Sequence, residues 1–475
     1  MKPNILRVLK LVLVLLSAQL TGFTQTIPKL RVLILTDIEA DPDDTESMIR
    51  FLTYCDQWDV EGLIATTSIH QKTRVAPESI VRVLQAYKLV QPNLLKHEQG
   101  YPEYDFLLGK VKKGLPEYGM QAVGEGHDSE GSEWIIKVLE KDDQRPVWIP
   151  VWGGVNTLAQ AIWKIKNTKS SQEAQKLYSK IRIYTISDQD DAGPWKRKTF
   201  PGIFYICSPG YSYGRATWLG MSFGFPGSNT SVVSNEWLAK NIQQGHGPLG
   251  AAYPDVAYGM EGDTPAFLSL ISNGLNDPEH PNYGGWGGRY EFYLPVLDTS
   301  ASIFPKRPNW PADAAETRPL WTNAEDSVIS AVDKKGYKSI QATIWRWREE
   351  YQNDFAARIE WTTKEYNQAN HPPVPMLANG DHMTVKSGEL FHLSANGTTD
   401  PDGDSMSYLW FQYPEAGTYH GYINFSPYAR NLYDLPVTAP VVDHEVTIHF
   451  ILKVTDKGSP PLTRYKRVVV TVRPN

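Results

Sequence analysis

The sequence predicts a doubly wound, mostly parallel α/β sheet followed by a small all-β sandwich. Two observations predict the first part: apolar runs that end in polar loops recur along the chain, and helical periodicity follows them. A third observation predicts the second part, because short alternating runs separated by turns follow a proline-rich stretch at 371–375. We therefore expect an α/β domain over 27–370 and a sandwich over 371–475.

Buried strands of the large sheet are predicted where apolar residues run together without alternation. These runs are 30–35, 60–66, 146–152 and 182–186. Helices are expected at 45–54, at 77–89, from Asn156 or Thr157 onward, and over most of 325–368. In the sandwich, the predicted strands are 389–393, 407–411, 446–454 and 465–472.

The N-terminus and the net charge limit where the protein works and what it binds. Lys2, Arg7 and Lys10 precede an apolar run at 11–16, a pattern typical of a signal peptide, which we place at 1–26. That run is short for a membrane span, so we expect a periplasmic or secreted protein with no transmembrane segment after signal removal. The formal net charge of −6 gives no electrostatic basis for nucleic-acid binding.

Aromatic residues are abundant, with 15 Trp and 25 Tyr. Their flat apolar faces suit stacking on sugar rings, although for most of them a place in the core is the simpler interpretation. The two cysteines, Cys55 and Cys207, lie in apolar surroundings. An oxidising compartment would permit a disulfide between them, but two buried free thiols are the commoner outcome and our expectation.

The segment 37–44 follows the first predicted strand and carries five carboxylates, those of Asp37, Glu39, Asp41, Asp43 and Asp44. Acids this close repel one another unless a cation neutralises them, and calcium prefers oxygen ligands. A helix N-terminus with an acidic first turn is the alternative, but a cap needs one acid rather than five. The spacing does not match an EF-hand loop. We therefore expect a calcium site of another kind.

Three further stretches carry groups suited to a binding site. The segment 152–159 places two glycines after a strand, and 187–195 places acids beside Trp195. The segment 259–265 carries Asp263 at a helix start, and a long polar segment follows it. Each stretch alone is also explained as a turn or a helix cap. The loops beginning at residues 37, 153 and 187, however, all lie at strand carboxyl ends, where open α/β sheets bind ligands.

Together these stretches resemble the nucleoside hydrolase superfamily, and more closely the nucleoside-hydrolase-like cellulose-binding proteins, over about 30–368 and into the C-terminal domain. Asp43 and Asp44 match the paired acids of the superfamily. The segment 153–159 is similar to its Gly-Pro-Leu-Thr-Asn-Leu-Ala element, and Asp263 is similar to its C-terminal metal-binding aspartate.

The resemblance implies a calcium ion as cofactor. The implied ligands are Asp44, Asp263, the carbonyl of Asn156, and either Asp37 or Glu39. The sequence departs from the superfamily in two places: Gly262 stands where a histidine usually protonates the leaving base, and 68–70 lacks the expected asparagine. We therefore expect a glycoside rather than a true nucleoside as substrate.

The predicted function is an exported hydrolase that cleaves an N-glycosyl or glycosidic bond by calcium-assisted attack of water. Its partner is a carbohydrate or a nucleoside-like small substrate, and an oligomer is compatible with the sequence. The alternative is a non-catalytic cellulose- or carbohydrate-binding protein that keeps the hydrolase fold. The predicted catalytic residues are Asp37, Asp43 and Glu261. The predicted substrate-binding residues are Asp188, Asp190, Asp191, Trp195, Asn273, His280 and Trp286.

In the sandwich, the segment 396–404 resembles the Asp-Pro-Asp-Gly-Asp turn of immunoglobulin-like modules in secreted carbohydrate-active proteins. Its acids suit a structural calcium, and a tight turn rich in Asp and Gly equally needs no metal. Trp410 is expected in the core of the sandwich, with glycan contact as the alternative.

Overall fold

The computed structural model describes residues 28–296, 315–425 and 431–475. The predicted signal peptide at 1–26 lies outside these residues. Within the described ranges, no helix has both the length and the apolar character needed to cross a membrane. The described strands form one large sheet, a two-stranded hairpin and two sheets near the C-terminus.

Eight strands build the large sheet: β1 (Leu30–Thr36), β2 (Trp58–Ala65), β3 (Val111–Lys113), β4 (Val147–Val151), β5 (Ile181–Ser187), β6 (Phe204–Ser208), β7 (Tyr290–Tyr293) and β8 (Leu320–Asn323). Their order in the sheet is β3-β2-β1-β4-β5-β6-β8-β7. Neighbouring strands are parallel except β7 and β8. The four predicted buried strands are confirmed as β1, β2, β4 and β5.

The α-helices are α1 (Asp43–Thr53), α2 (Pro77–Leu94), α3 (Tyr104–Leu108), α4 (Glu130–Glu140), α5 (Asn156–Thr168), α6 (Ser171–Tyr178), α7 (Ala192–Thr199), α8 (Asn235–Leu238), α9 (Gly247–Ala251), α10 (Pro265–Leu268), α11 (Ala342–Trp345) and α12 (Arg348–Glu360). Helices α1 and α2 share a core with Val32 and Ile34 on one face of the sheet. Helices α4 and α5 share another with Leu33 and Leu35 on the opposite face. Because successive strand residues point to opposite faces, the continuous apolar run of β1 is buried on both sides. The doubly wound α/β prediction is confirmed.

Cys55 and Cys207 are buried free thiols, as expected. The prediction that 325–368 is largely helical is wrong in its first part. An antiparallel hairpin forms there from β9 (Asp326–Ile329) and β10 (Gly336–Ser339), and helix begins only at Ala342. The Ser-Val-Ile segment of β9 favours a strand, because β-branched side chains fit a pleated surface better than a helix.

The C-terminal strands are β11 (His382–Lys386), β12 (Leu390–Ser394), β13 (Met406–Gln412), β14 (Asp434–Thr438), β15 (Val446–Asp456) and β16 (Thr463–Arg473). One sheet has the order β11-β16-β15-β13, and β12 pairs with β14 in the other. The side chains between them form a separate core, in which Trp410 is buried as predicted. The predicted sandwich is confirmed, and all four runs assigned to it are strands.

The sandwich packs directly on the α/β domain through β16. The amide of Tyr465 donates to the carbonyl of Asn273 (2.8 Å). Arg467 Nη2 donates to the carbonyls of Leu275 (2.9 Å) and Gly284 (3.0 Å). Tyr465 is also buried in the core cluster that contains α1 and α2. The two domains therefore share part of one hydrophobic core.

Candidate functional site

The carboxyl ends of the central strands bring the predicted loops together. A Cβ atom at Gly153, after β4, would lie 2.5 Å from a carboxylate oxygen of Asp37, after β1. The amide of Ile69, after β2, donates to the carbonyl of Gln189 (2.7 Å), after β5. These close contacts join four loops into one polar region at the sheet edge, where ligands bind in folds of this class.

A group of aspartates lies in this region. Carboxylate oxygens of Asp41, Asp43 and Asp44 lie within 4.8 Å of one another. Asp44 is buried and accepts a short hydrogen bond from the hydroxyl of Thr36 at the end of β1. Asp44 is also repelled electrostatically by two further buried carboxylates. One is that of Asp37, and the other is that of Asp263 in the loop before α10. We call this group the aspartate cluster: Asp37, Asp41, Asp43, Asp44 and Asp263.

Burial and mutual repulsion raise the pKa values of the cluster. Burial is the main cause for Asp37, whose pKa rises to about 6, and the neighbouring Asp41 adds to the rise. Burial also raises the pKa of Asp43, Asp44 and Asp263 well above the usual carboxyl range, with repulsion from a neighbouring aspartate as the next cause. Each carboxylate thus opposes the ionisation of the others, which is the electrostatic condition that a bound cation relieves.

The donor chemistry of the aspartate cluster fits calcium. Oδ2 of Asp263, a residue only 2% exposed, is buried and has no hydrogen-bond partner within the described ranges. Buried polar atoms rarely stay unpaired, and calcium takes about six to eight oxygen ligands from carboxylates, carbonyls and water. The oxygens that converge closely enough to share an ion are those of Asp41, Asp43 and Asp44, and Asp263 Oδ2 is a buried oxygen of the cluster without a partner among the described residues.

Two members of the predicted metal set have other contacts. Glu39 has a left-handed backbone (φ 83°), and its carboxylate accepts hydrogen bonds from Ser79 and Arg82 on α2. This engagement favours Asp37 over Glu39 as a metal ligand. The Asn156 side-chain amide donates to the hydroxyl of Thr67 (2.9 Å). The role of the Asn156 carbonyl stays a prediction.

Glu261, predicted as a catalytic residue, lies in a buried ion pair. Its carboxylate accepts hydrogen bonds from Arg50 Nε and Nη2, and both residues are 0% exposed. The hydroxyls of Tyr253 (2.7 Å) and Thr264 (2.8 Å) donate to the same carboxylate. Both oxygens of Glu261 are therefore engaged. These contacts anchor the loop that carries Asp263 to α1.

Asp190 joins the loop after β5 to the glycine loop after β4. Its Oδ2 accepts from the amide of Asn156 (2.9 Å), and its Oδ1 accepts from the amide of Ala192 (3.0 Å). A Cβ atom at Gly154 would lie 2.5 Å from the Asp190 carboxylate. Burial, followed by repulsion from Asp191, raises the pKa of Asp190 to about 7. Asp190 therefore fixes the position of the glycine loop that packs against Asp37.

Two of the other predicted substrate-binding residues of this loop, Asp188 and Trp195, contact neighbouring side chains of the α/β domain. Asp188 forms a bidentate ion pair with Arg197 on α7 (2.7 and 2.8 Å). Asp191 is exposed, and Trp195 is half-buried with its ring packed edge-on against Phe200 (5.6 Å between ring centroids). Of these residues, Asp191 is the one with an exposed side chain.

Asn273, His280 and Trp286 lie at the junction of the two domains. The Asn273 carbonyl accepts from the Tyr465 amide, and the indole nitrogen of Trp286 donates to the Tyr465 hydroxyl (3.4 Å). His280 stacks on Tyr283 with 4.6 Å between ring centroids. The Tyr283 ring in turn packs edge-on against His449 of the sandwich (4.4 Å between ring centroids), so all three residues support the packing of the two domains.

Family models match both domains. The model described as cellulose-binding Sde182, nucleoside hydrolase-like domain, matches residues 31–290. The model described as cellulose-binding protein Sde0182, C-terminal domain, matches residues 390–472. The chain belongs to the nucleoside-hydrolase-like cellulose-binding family. The resemblance seen in the sequence is thereby confirmed.

A solved structure extends the family match to the whole fold. It is a nucleoside hydrolase-related hypothetical protein from Saccharophagus degradans, described as associated with carbohydrate metabolism. It is 36% identical and aligns with a TM-score of 0.78 over 94% of this chain and 100% of its own. A sialyltransferase from Photobacterium damsela aligns over only 19% of this chain and 17% of its own, at 13% identity and a TM-score of 0.14, which is too low to indicate a shared fold. A comparison with curated proteins gives no match.

Glu46 and Trp218 contribute to the site in this family member but are not predicted by the sequence, whereas Asp41 belongs to the predicted acidic segment 37–44 without a role of its own. A Cβ atom at Gly262 would lie 2.7 Å from Asp43 Oδ2 and 3.0 Å from the ring of Trp218. The space for a larger side chain at Gly262 is thus already filled. The Trp218 indole nitrogen and one Glu46 oxygen are buried without a partner among the described residues. Glu46 follows Asp43 by three residues on α1, a spacing that places both side chains on the same face of the helix, so the sequence contained a signal for Glu46. No sequence pattern indicated Trp218.

Proposed function

We propose that this protein is an exported hydrolase that cleaves an N-glycosyl or glycosidic bond of a carbohydrate substrate, with calcium at the aspartate cluster. The observation that carries the proposal is the buried, unpartnered Asp263 Oδ2 within a group of mutually repelling aspartates. Polysaccharide binding alone would not require such a cluster, because neighbouring unneutralised acids destabilise the fold.

Asp37, Asp44 and Asp263 would hold the calcium, together with Asp41 and Asp43. Bound there, calcium would act as a Lewis acid: it would orient vicinal sugar hydroxyls and lower the pKa of a coordinated water. In the proposed mechanism, Asp37 or Asp43 accepts the proton that the attacking water loses. The remaining carboxylates stabilise the positive charge that develops on the sugar ring in the transition state.

Gly262 supports a glycoside rather than a nucleoside as substrate. With Gly262 in place of a histidine, no imidazole is available at this position to protonate a departing base. The space beside Gly262 is filled by Trp218, whose buried indole N–H lacks a partner within the described residues. The leaving-group acid stays open, because both oxygens of Glu261 are engaged by Arg50 and two hydroxyls.

The family description as cellulose-binding supports the carbohydrate part of the proposal. The description of the Saccharophagus degradans protein as associated with carbohydrate metabolism points the same way. Cellulose is a polymer found outside the cell, so the proposal includes a periplasmic or secreted location.

The test is release of free sugar from cello-oligosaccharides, plant polysaccharide fragments and nucleosides, with calcium or with EDTA. We expect release from at least one carbohydrate with calcium and loss of release with EDTA. Asp44→Asn should lower the rate at least about 100-fold, because it weakens the cation site while its Oδ1 can still accept from Thr36. Asp381→Asn is the matched control, since its carboxylate is 74% exposed in the sandwich.

A non-catalytic carbohydrate-binding protein is the second candidate, favoured by the family description and by Gly262. In that case the protein is retained on cellulose, and no member of the substrate panel releases sugar with calcium present. Retention without release would therefore contradict the hydrolase proposal.

A further inference from the structure

Three segments meet where the chain enters the sandwich. The segment 370–374, which we call the entry segment, pairs with the turn before β13: the amide of Val374 donates to the carbonyl of Thr399 (2.8 Å), and the amide of Thr399 donates back (3.3 Å). In the ladder of β13 and β15, Met406 is the partner of Asp456, the last residue of β15. The acidic turn 400–404 therefore lies beside the end of β15 and the entry segment.

Asp456 has one satisfied and one unsatisfied oxygen. Its Oδ1 accepts from the amides of Gly458 (3.0 Å) and Leu462 (2.9 Å) and from Asn370 Nδ2 (3.1 Å). Its Oδ2 is buried without a partner in the described part of the chain, and the residue is 0% exposed. The Oδ2 atom of this carboxylate therefore lacks the donor or cation that a buried oxygen ordinarily has.

Asp400 and Asn370 repeat this pattern. Asp400 Oδ1 accepts from the amides of Asp402 (3.0 Å) and Asp404 (3.0 Å), while Asp400 Oδ2 is buried and unpartnered. Asn370, 6% exposed, donates through Nδ2 to Asp456 and to the Pro460 carbonyl (2.8 Å). Its Oδ1 is buried and unpartnered as well. Three side chains from three segments thus each leave one oxygen without a protein donor.

Within the described part of the chain, no side-chain cation pairs with these two acids. Across the described ranges, no Lys, Arg or His side chain forms an ion pair with Asp400 or Asp456, and the nearby His371 pairs with Asp402 instead (3.0 Å). The pKa of Asp456 is raised, first by burial, and the charge of Asp400 adds to the rise, which agrees with their proximity. Unpaired buried oxygens of two acids and one amide are the ligand types that hard cations take in proteins.

We propose that Asp400, Asp456 and Asn370 form a second calcium site, which fastens the entry segment to the sandwich. Each of the three supplies its unpartnered oxygen, and backbone carbonyls and water complete the coordination shell. The site is distinct from the aspartate cluster and does not depend on the proposed hydrolase activity. Its role is structural: Asn370 also accepts, through its carbonyl, a hydrogen bond from Trp361 after α12 (2.9 Å). Calcium there connects the last helix of the α/β domain to two loops of the sandwich.

Calorimetric titration of the EDTA-treated, dialysed full chain with CaCl2 tests the site. We expect two calcium ions for the wild type and for the control Asp381→Asn, and one ion for Asp456→Asn or Asp400→Asn. Both asparagine variants keep the Oδ1 that accepts the backbone amides, so the turns remain supported. Asp44→Asn should retain one ion, and Asp44→Asn/Asp456→Asn none.

The outcomes separate this proposal from the proposed function. A single ion that Asp44→Asn removes and Asp456→Asn leaves would overturn the second site alone. A single ion that only Asp456→Asn and Asp400→Asn remove would support the second site and overturn calcium at the aspartate cluster. Limited proteolysis gives an independent readout: calcium should slow cleavage within 370–375 in the wild type and in Asp44→Asn, but not in Asp456→Asn. Equal protection in all three proteins would overturn the second site.

Discussion

Replacing Arg50 by methionine perturbs the buried ion pair behind the aspartate cluster. Arg50 contacts Glu261 through two nitrogens and donates to the Tyr351 carbonyl (3.0 Å). Methionine fills part of this space but leaves the Glu261 carboxylate buried without a cation. Removal of one partner from a buried pair costs about 3–5 kcal/mol. Since two hydroxyls still donate to Glu261, we expect a loss of about 3 kcal/mol in the free energy of unfolding.

The assay is urea unfolding followed by circular dichroism, with EDTA present so that calcium binding does not add to stability. Arg82→Met is the matched control, because the Arg82 side chain is 62% exposed in its ion pair with Glu39. An exposed pair contributes about 0–1 kcal/mol, so the control should lose little. The double variant Arg50→Met/Glu261→Met removes both buried charges and should recover most of the lost stability. Equal losses for Arg50→Met and Arg82→Met would show that the buried pair contributes no more to stability than the exposed one.

Two further predictions concern the domain junction. Burial, followed by the charge of Arg467, lowers the pKa of His449 to about 3, and Arg467 donates to its Nδ1 (3.2 Å). The unfolded chain protonates His449 near the ordinary pKa of 6.5 and the folded chain does not, so the contribution of His449 to stability is constant above pH 6.5 and falls by up to about 1.4 kcal/mol per pH unit between 6.5 and 3. Urea unfolding of the wild type and of His449→Gln across this range isolates this contribution as the difference between the two slopes; equal slopes would contradict the assignment. Gly274 has φ 84°, and a Cβ atom there would lie 1.9 Å from the Tyr465 carbonyl oxygen, so Gly274→Ala should cost about 2 kcal/mol or more and lower the Tm. Gly380→Ala, with φ 78° but no atom within 4 Å, should cost only the backbone strain of about 1 kcal/mol, and a Tm drop as large as that of Gly274→Ala would count against the steric argument.

The local patterns of the first domain were sufficient to predict its sheet and the meeting of its loops. Apolar runs ending in acids or glycines marked the carboxyl ends of β1, β4 and β5. Parallel strands place these ends at one edge, and Asp37 indeed contacts Gly153 while Asp190 contacts Gly154. This part of the site follows from periodicity and strand direction alone.

Contacts between distant segments were not predictable from the sequence in this way. Arg50 and Glu261 are 211 positions apart, and neither residue type signals that the other completes a buried pair. Glu39 turns to α2 because of a left-handed backbone that its side chain does not encode. Trp286 resembled a binding-loop aromatic, yet it is buried against Tyr465 of the sandwich. Tertiary packing decided each of these cases.

Calcium binding by Asp44→Asn decides whether the aspartate cluster holds the cation. We would measure it by calorimetry in the Asp456→Asn background, so that the aspartate cluster is the one proposed site that remains. We expect one calcium ion for Asp456→Asn and no measurable binding for Asp44→Asn/Asp456→Asn. Unchanged calcium affinity in the double variant would contradict the assignment of the cation to the aspartate cluster.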